Sequence, residues 1–147
     1  MLPPAIFRFC SRAFVAVYGR VPIFGELRSS IGVLRRGDEY LLQQRNDGLG
    51  WAFPGGVAWI WESDEQALRR EIMEETGVTV GSARKLFVYR DTHYIPSLIT
   101  VFALDASDAD GEARGSWEGD VQWRKLDDVR LHFFISQQPI LEYLASI

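Results

Sequence analysis

Glu71, Glu74 and Glu75 fall at positions i, i+3 and i+4. At about 100° per residue, a helix through them sets three carboxylates on one face within a single turn. Negative charges held so close repel one another and raise one another's pKa, so something positive is expected among them. Arginine and a metal ion are the two candidates. Arg70 stands four residues before Glu74 and can pair with it, which is how a solvated, salt-bridged helix face is built, but one guanidinium does not balance three carboxylates. Hard oxygen donors with no His or Cys among them select Mg2+ or Mn2+ over zinc. Divalent ions on such a face can lower the pKa of a bound water and neutralise charge growing on a leaving oxygen.

The charge balance of the whole chain leads to the same segment. The 147 residues carry 16 Lys+Arg and 20 Asp+Glu, a formal net charge of −4. Glu62 to Glu75 holds six acids and only two bases, Arg69 and Arg70, so this stretch alone accounts for the −4 and the rest of the chain is neutral. A mildly acidic protein does not hold long nucleic acid by bulk charge. Cys10 is the single cysteine, which excludes an intramolecular disulfide and a cysteine-built zinc site and points to a reducing, cytoplasmic setting. The length suits one globular domain with a real core.

The elements that must position the acids can be read from spacing. Ser63 or Asp64 can cap a helix running to about Thr76, where Gly77 supplies the stop. Before it, Ile31 to Leu34, a turn at Arg35 to Asp38, and Tyr40 to Arg45 read as a hairpin. The loop Asn46 to Gly50 and the segment Trp51-Ala52-Phe53-Pro54-Gly55-Gly56 lead into the acidic stretch. Val78 to Asp91, Leu98 to Leu104 and Val121 to Leu126 have strand composition, and Asp105 to Gly115 is a polar loop. A last helix opens at Ser136, with Ile140, Leu141, Leu144 and Ile147 on one face. Strands interleaved with helices predict an α/β sandwich.

Residues 1–29 stand apart. Ile6, Phe9, Cys10, Ala13, Phe14 and Val17 recur at helical spacing after Pro3-Pro4, as expected of an amphipathic helix. Two readings stand: a helix docked on the domain, or a basic helix that touches a membrane surface or serves in targeting. Arg8, Arg12 and Arg20 interrupt it too often for a span of about 20 apolar residues, so no stable membrane association is expected.

From Gly56 there are five residues to Glu62, seven more to Arg70-Glu71, then Ile72, Met73, Glu74-Glu75, Thr76, Gly77 and Val78. This resembles the Nudix box, G-x5-E-x7-R-E-U-x-E-E-x-G-U with U aliphatic, and every defined position matches. Leu41 to Arg45, the Trp51 to Gly56 entrance and the strand around Trp123 are also similar to that family, so the resemblance covers residues 30–147. It implies an α/β/α sandwich around a mixed sheet. It implies, too, a hydrolase that cleaves a nucleoside diphosphate linked to another moiety, using Mg2+ or Mn2+ and water.

Carried onto this chain, the resemblance implies that Glu71, Glu74 and Glu75 hold the metals, with the Gly56 backbone as a further oxygen ligand. Glu62 and Arg70 brace helix and loop. Glu74 or Glu75 could take the proton from the attacking water, and Glu118 and Asp120 are alternatives as base or extra ligand. Arg45 can meet phosphate oxygens, and Phe53 and Tyr94 belong to a set of loop aromatics, with Trp51, Trp59, Trp61 and Trp117, that could stack a base. Trp59 and Trp61 are read as packing or subunit contact, consistent with a homodimer, and His93 and His132 as structural. The partner is a small nucleotide-type substrate: a nucleoside triphosphate, a nucleotide sugar or a dinucleoside polyphosphate. The competing reading is a Nudix module that binds a nucleotide without turnover and regulates.

Overall fold

The computed structural model describes residues 25–105, 109–110, 113–116 and 119–147. The expected N-terminal helix lies outside the described residues up to residue 24, as do Trp117 and Glu118.

Strand β1 (Leu27–Arg36) turns at Gly37-Asp38 into β2 (Glu39–Arg45). The hairpin is the expected one, with β1 beginning at Leu27, four residues before the expected Ile31. Two short strands follow, β3 (Trp51–Ala52) and β4 (Gly55–Val57), and then helix α1 (Asp64–Thr76). The single strand expected over Val78 to Asp91 is instead β5 (Thr79–Val80) and β6 (Ala83–Asp91). Gly81-Ser82 between them is a dipeptide that favours a turn over a ladder. Next come β7 (Ser97–Asp105), β8 (Ala109–Asp110) and β9 (Gly119–Arg124). The chain closes with the short helix α2 (Leu126–Val129), 3-10 turns at Arg130–His132 and Ile135–Gln137, and α3 (Gln138–Ser146).

Among the described residues seven strands form one mixed sheet, and β5 pairs separately with β8. β1 is its spine: it runs parallel to β7 from Leu27 opposite Ser97 to Arg35 opposite Asp105. On its other side its first half pairs antiparallel with β4 and its end with β2. A strand covered on both faces reads as a continuous apolar run rather than an alternating one, and Ser30 to Leu34 are all buried.

Each face of the sheet carries its own core. Leu34, Leu41, Phe102 and Leu104 meet Leu68 and Ile72 of α1. Ile31, Val33, Ile99 and Val101 meet Val129, Phe133, Ile140 and Leu141 from the C-terminal segment. The result is an α/β/α sandwich in a single domain. At Gly32 an added Cβ would stand 2.9 to 3.1 Å from methyl groups of Leu104, Ile72 and Leu68, so the missing side chain lets α1 close on the sheet. On α3, Ile140 and Leu141 are buried as expected, whereas Ile147 is 81% exposed: the helix ends at Ser146, and the residue beyond its last turn leaves the apolar face.

Candidate active site

Helix α1 starts where its sequence can satisfy the first free amides. Ser63 accepts from the Gln66 amide while the Gln66 side chain accepts from Ser63, a reciprocal cap. Gly77 ends it at φ 72, its amide donating to Met73. The N-terminal end is fixed to the sheet by polar contacts. Arg28 donates to Asp64 Oδ1 at 2.8 Å and to the Glu62 carbonyl at 2.7 Å. Ser30 Oγ donates to the Asp64 carbonyl at 2.7 Å, and Thr100 Oγ1 to Asp64 Oδ2 at 3.0 Å. These ties join residues 34 or more apart in sequence, so no local pattern announces them.

Glu71 and Glu75 lie along the side of α1 that faces β4. Glu75 is 4% exposed and its Oε2 accepts the Gly55 amide at 2.9 Å. Gly55 adopts φ 156, and an added Cβ there would come within 2.1 Å of the Ser30 carbonyl oxygen, so only glycine lets β4 pass between β1 and the helix. At Gly56 an added Cβ would stand 2.5 Å from the Glu71 carboxyl carbon. Glu74 points outward, its side chain 60% exposed.

Arg70 supplies the positive charge. Its guanidinium donates to Glu62 at 2.9 Å through both Nε and Nη2, to Glu71 at 2.6 Å, to Glu74 at 3.3 Å and to the Val57 carbonyl at 3.0 Å. Hydrogen bonding to Glu62 raises the arginine pKa further above its ordinary range. In return, the guanidinium holds the Glu62 carboxyl below the usual carboxylate range, against the opposing effect of burial. Glu62 Oε1 also accepts the Trp59 amide at 2.8 Å. Arg70 and Glu62 thus tie the loop to the helix.

Among the described residues no three His, Cys, Asp or Glu side chains converge on one point as a closed metal centre. The donors are nonetheless of one kind and spaced along one turn: Glu71 against the bare Cα of Gly56, Glu75 against Gly55, and Glu74 facing outward. All are oxygens, and the space at Gly56 is the space a Cβ would fill. That set fits a hard divalent cation better than zinc.

A cavity of about 450 Å3 opens beside these glycines, lined by Gly55, Gly56, Glu75, Arg45, Phe53, Tyr94 and Phe134 among others, within the size range of small-molecule sites. Arg45 is ion-paired to Asp47 and lies 4.1 Å from the centre of the Phe134 ring, which stacks at 5.5 Å on Tyr94. Phe53 is buried, and its backbone is held at both ends by the Gln137 amide, its N–H donating to Oε1 at 2.7 Å and its carbonyl accepting from Nε2 at 3.2 Å. Tyr89 donates its hydroxyl to the Ser136 carbonyl at 2.8 Å. Burial, with the charge of Asp91 nearby, raises that phenol pKa well above the ordinary tyrosine range and keeps it a donor.

The structure therefore brings Glu71, Glu74, Glu75, Gly56, Glu62 and Arg70 together, and sets Arg45, Phe53 and Tyr94 around the adjoining cavity. Glu118 falls outside the described residues, and Asp120, opposite Gln44 on β9, is not among the cavity-lining residues. Trp59 and Trp61 stack on each other at 5.7 Å, with Trp59 53% and Trp61 75% exposed, so they are not core packing. Phe134, Gln137, Asp47 and Asp91 line the cavity without having been anticipated.

The Nudix-domain family model matches residues 26–144. The chain belongs to the Nudix family. It is 30% identical to the uncharacterized Nudix hydrolase YvcI of Bacillus subtilis (strain 168) over 103 residues, 67% of this chain and 65% of that protein. It is 40% identical to a MutT-like protein of Streptomyces ambofaciens over 65 residues, 44% of this chain and 42% of that protein. The matches span less than two thirds of either curated relative. Among solved structures, one from a study of MutT from Aliivibrio salmonicida and Vibrio cholerae superposes with a TM-score of 0.68 at 22% identity, over 82% of this chain and 97% of that one. That likeness concerns the Nudix fold alone. Among the described residues no helix is long and apolar enough to cross a membrane.

Proposed function

We propose that this Nudix protein is a Mg2+- or Mn2+-dependent hydrolase of the pyrophosphate bond in a nucleoside diphosphate linked to another moiety. The observation that carries the reading is one cavity with Gly56 and Glu75 in its lining together with Arg45, Tyr94 and Phe134. An acidic end able to hold cations adjoins an aromatic wall able to take a base.

Glu71, Glu74 and Glu75 hold the metal, with the Gly56 carbonyl as a further oxygen donor. Bound divalent ions neutralise the diphosphate and make water a usable nucleophile at neutral pH. Arg70 keeps Glu71 turned toward Gly56, and Glu62 keeps Arg70 in place, the supporting role that outer partners have around metal ligands. Glu74 or Glu75 takes the proton of the attacking water. Arg45, engaged with Asp47 through Nε and Nη2, offers Nη1 to a phosphate oxygen and its planar face to Phe134. The substrate is a small nucleotide, the protein works in the cytoplasm, and the exposed Trp59 and Trp61 give a second copy a place to bind.

A panel of nucleoside triphosphates, nucleotide sugars and dinucleoside polyphosphates, incubated with Mg2+ or Mn2+ and read by phosphate or nucleotide release, tests this. Cleavage of one class, abolished by chelation and restored by added metal, is the expected result. Tight nucleotide binding with no cleavage of any member would leave a binding module instead.

A further inference from the structure

Besides Glu75 and the Asp47 that pairs with Arg45, the cavity is lined by a third carboxylate, Asp91, for which the proposed hydrolysis has no use. Its distance from the glutamates follows from the sheet. Gly56 on β4 lies opposite Ser30 on β1, Ser30 beside Thr100 on β7, and Thr100 opposite Val88 on β6. Three strand spacings of about 4.8 Å put β6 roughly 14 Å across the sheet from β4. Asp91, at the end of β6, therefore cannot share with Glu75 a cation whose oxygen ligands stand about 2.0 to 2.6 Å away.

Asp91 is 7% exposed, an uncommon position for an aspartate. Its Oδ1 is engaged by His93 Nδ1 at 2.5 Å, which fixes the orientation of the carboxylate. That contact is made through Oδ1, which leaves Oδ2 to face the cavity that Asp91 lines. Among the described residues the two buried side-chain atoms without a partner, Gln43 Nε2 and Ser136 Oγ, belong to residues that line the same cavity. Unpaired polar atoms of this kind call for an explanation, and gathered around one cavity they have a common one in a ligand.

Resting on the hydrolase reading, we propose that Asp91 determines specificity at the end of the cavity away from the metal. Oδ2 accepts a hydrogen bond from an N–H or O–H donor on the moiety that the diphosphate carries. A carboxylate accepts only, and its charge repels phosphate, so it orients the substrate as well: the diphosphate goes to the α1 end and the donor-bearing group to the β6 end. Ser136, whose carbonyl is held by Tyr89 of β6, serves the same group. The donor is either a nucleobase N–H or a sugar hydroxyl, which share this chemistry.

The experiment compares the full chain with Asp91→Asn, which preserves size and the His93 contact, and Asp91→Ser. Each is assayed on the preferred panel member and on matched analogues, one N-methylated at the base and one lacking a sugar hydroxyl. A site that pairs with a substrate donor discriminates strongly against analogues without it, here at least about tenfold in kcat/KM. In the variants that ratio should fall to within about twofold, through KM rather than kcat. The analogue series in which the ratio collapses names the donor. Unchanged discrimination in both variants overturns the assignment of Asp91. The same compounds are titrated calorimetrically in the presence of Mg2+, so that a chain that cleaves nothing, which defeats the hydrolase reading, still reports through affinity whether Asp91 discriminates.

Discussion

The Glu71 carboxylate occupies the space beside Gly56 that a side chain would take: its carboxyl carbon is 2.5 Å, and its oxygens 2.6 and 2.8 Å, from the position of an added Cβ. The glycine of this motif is therefore matched to a particular glutamate on α1. Gly56→Ala should displace the carboxylate while leaving the backbone path intact, since φ at Gly56 is not positive. Mn2+ affinity, measured by calorimetry or electron paramagnetic resonance, should fall at least about tenfold, the scale seen when the partners of metal ligands are disturbed. The thermal midpoint should change little. Wild-type Mn2+ affinity in this variant would show that Glu71 is not a ligand.

Glu74→Gln and Glu75→Gln should each reduce turnover by more than the about 10- to 100-fold typical of supporting residues. Glu74 is half-exposed and not needed for packing. Glu75 is buried, but a glutamine oxygen can still accept the Gly55 amide, so both variants should keep the wild-type circular dichroism spectrum. Full activity in either purified variant would place the metal site elsewhere.

The Glu62–Arg70 pair makes stability depend on pH in a definite direction. The guanidinium lowers the folded-state pKa of Glu62 below its ordinary 4.5, so on acidification the unfolded chain takes up this proton first. The pair's contribution is complete above about pH 4.5 and is lost as pH falls through the lowered folded value. Urea unfolding between pH 3 and 6 should show wild-type stability falling on acidification, and Glu62→Gln should have a shallower slope with lower stability at pH 7. Equal slopes in the two proteins would mean that Arg70 does not hold Glu62 in the folded state.

The parts of this site that are local in sequence could be read from it, and the parts that depend on distant pairing could not. Ser63, Gln66 and Gly77 announce the ends of α1 because capping acts over three or four residues, and the glutamate spacing announces the acidic face. Nothing local signals that β1 and β7 pair in parallel, since that register is set by two buried faces packing at once. The Gln137 amide that holds Phe53 across 84 residues, and the Tyr94–Phe134 stack, follow from that packing. Tyr94 was visible as an aromatic in a loop, but its partner Phe134 and the carboxylate of Asp91 acquire meaning only when β6 and the C-terminal segment meet around the cavity.

The N-terminal segment offers a test of where the folded unit begins. β1 starts at Leu27, and among the described residues its partner strands, β2, β4 and β7, come from later in the chain. Among the described residues both cores are built from Ile31 onward, and the family match begins at residue 26. Removal of residues 1–20 should therefore leave turnover on the preferred substrate and the thermal midpoint unchanged. If the shortened chain fails to fold, the apolar stripe of Ile6, Phe9, Phe14 and Val17 packs on the domain. If it folds but loses affinity for anionic vesicles that the full chain binds, Arg8, Arg12 and Arg20 act at a membrane surface.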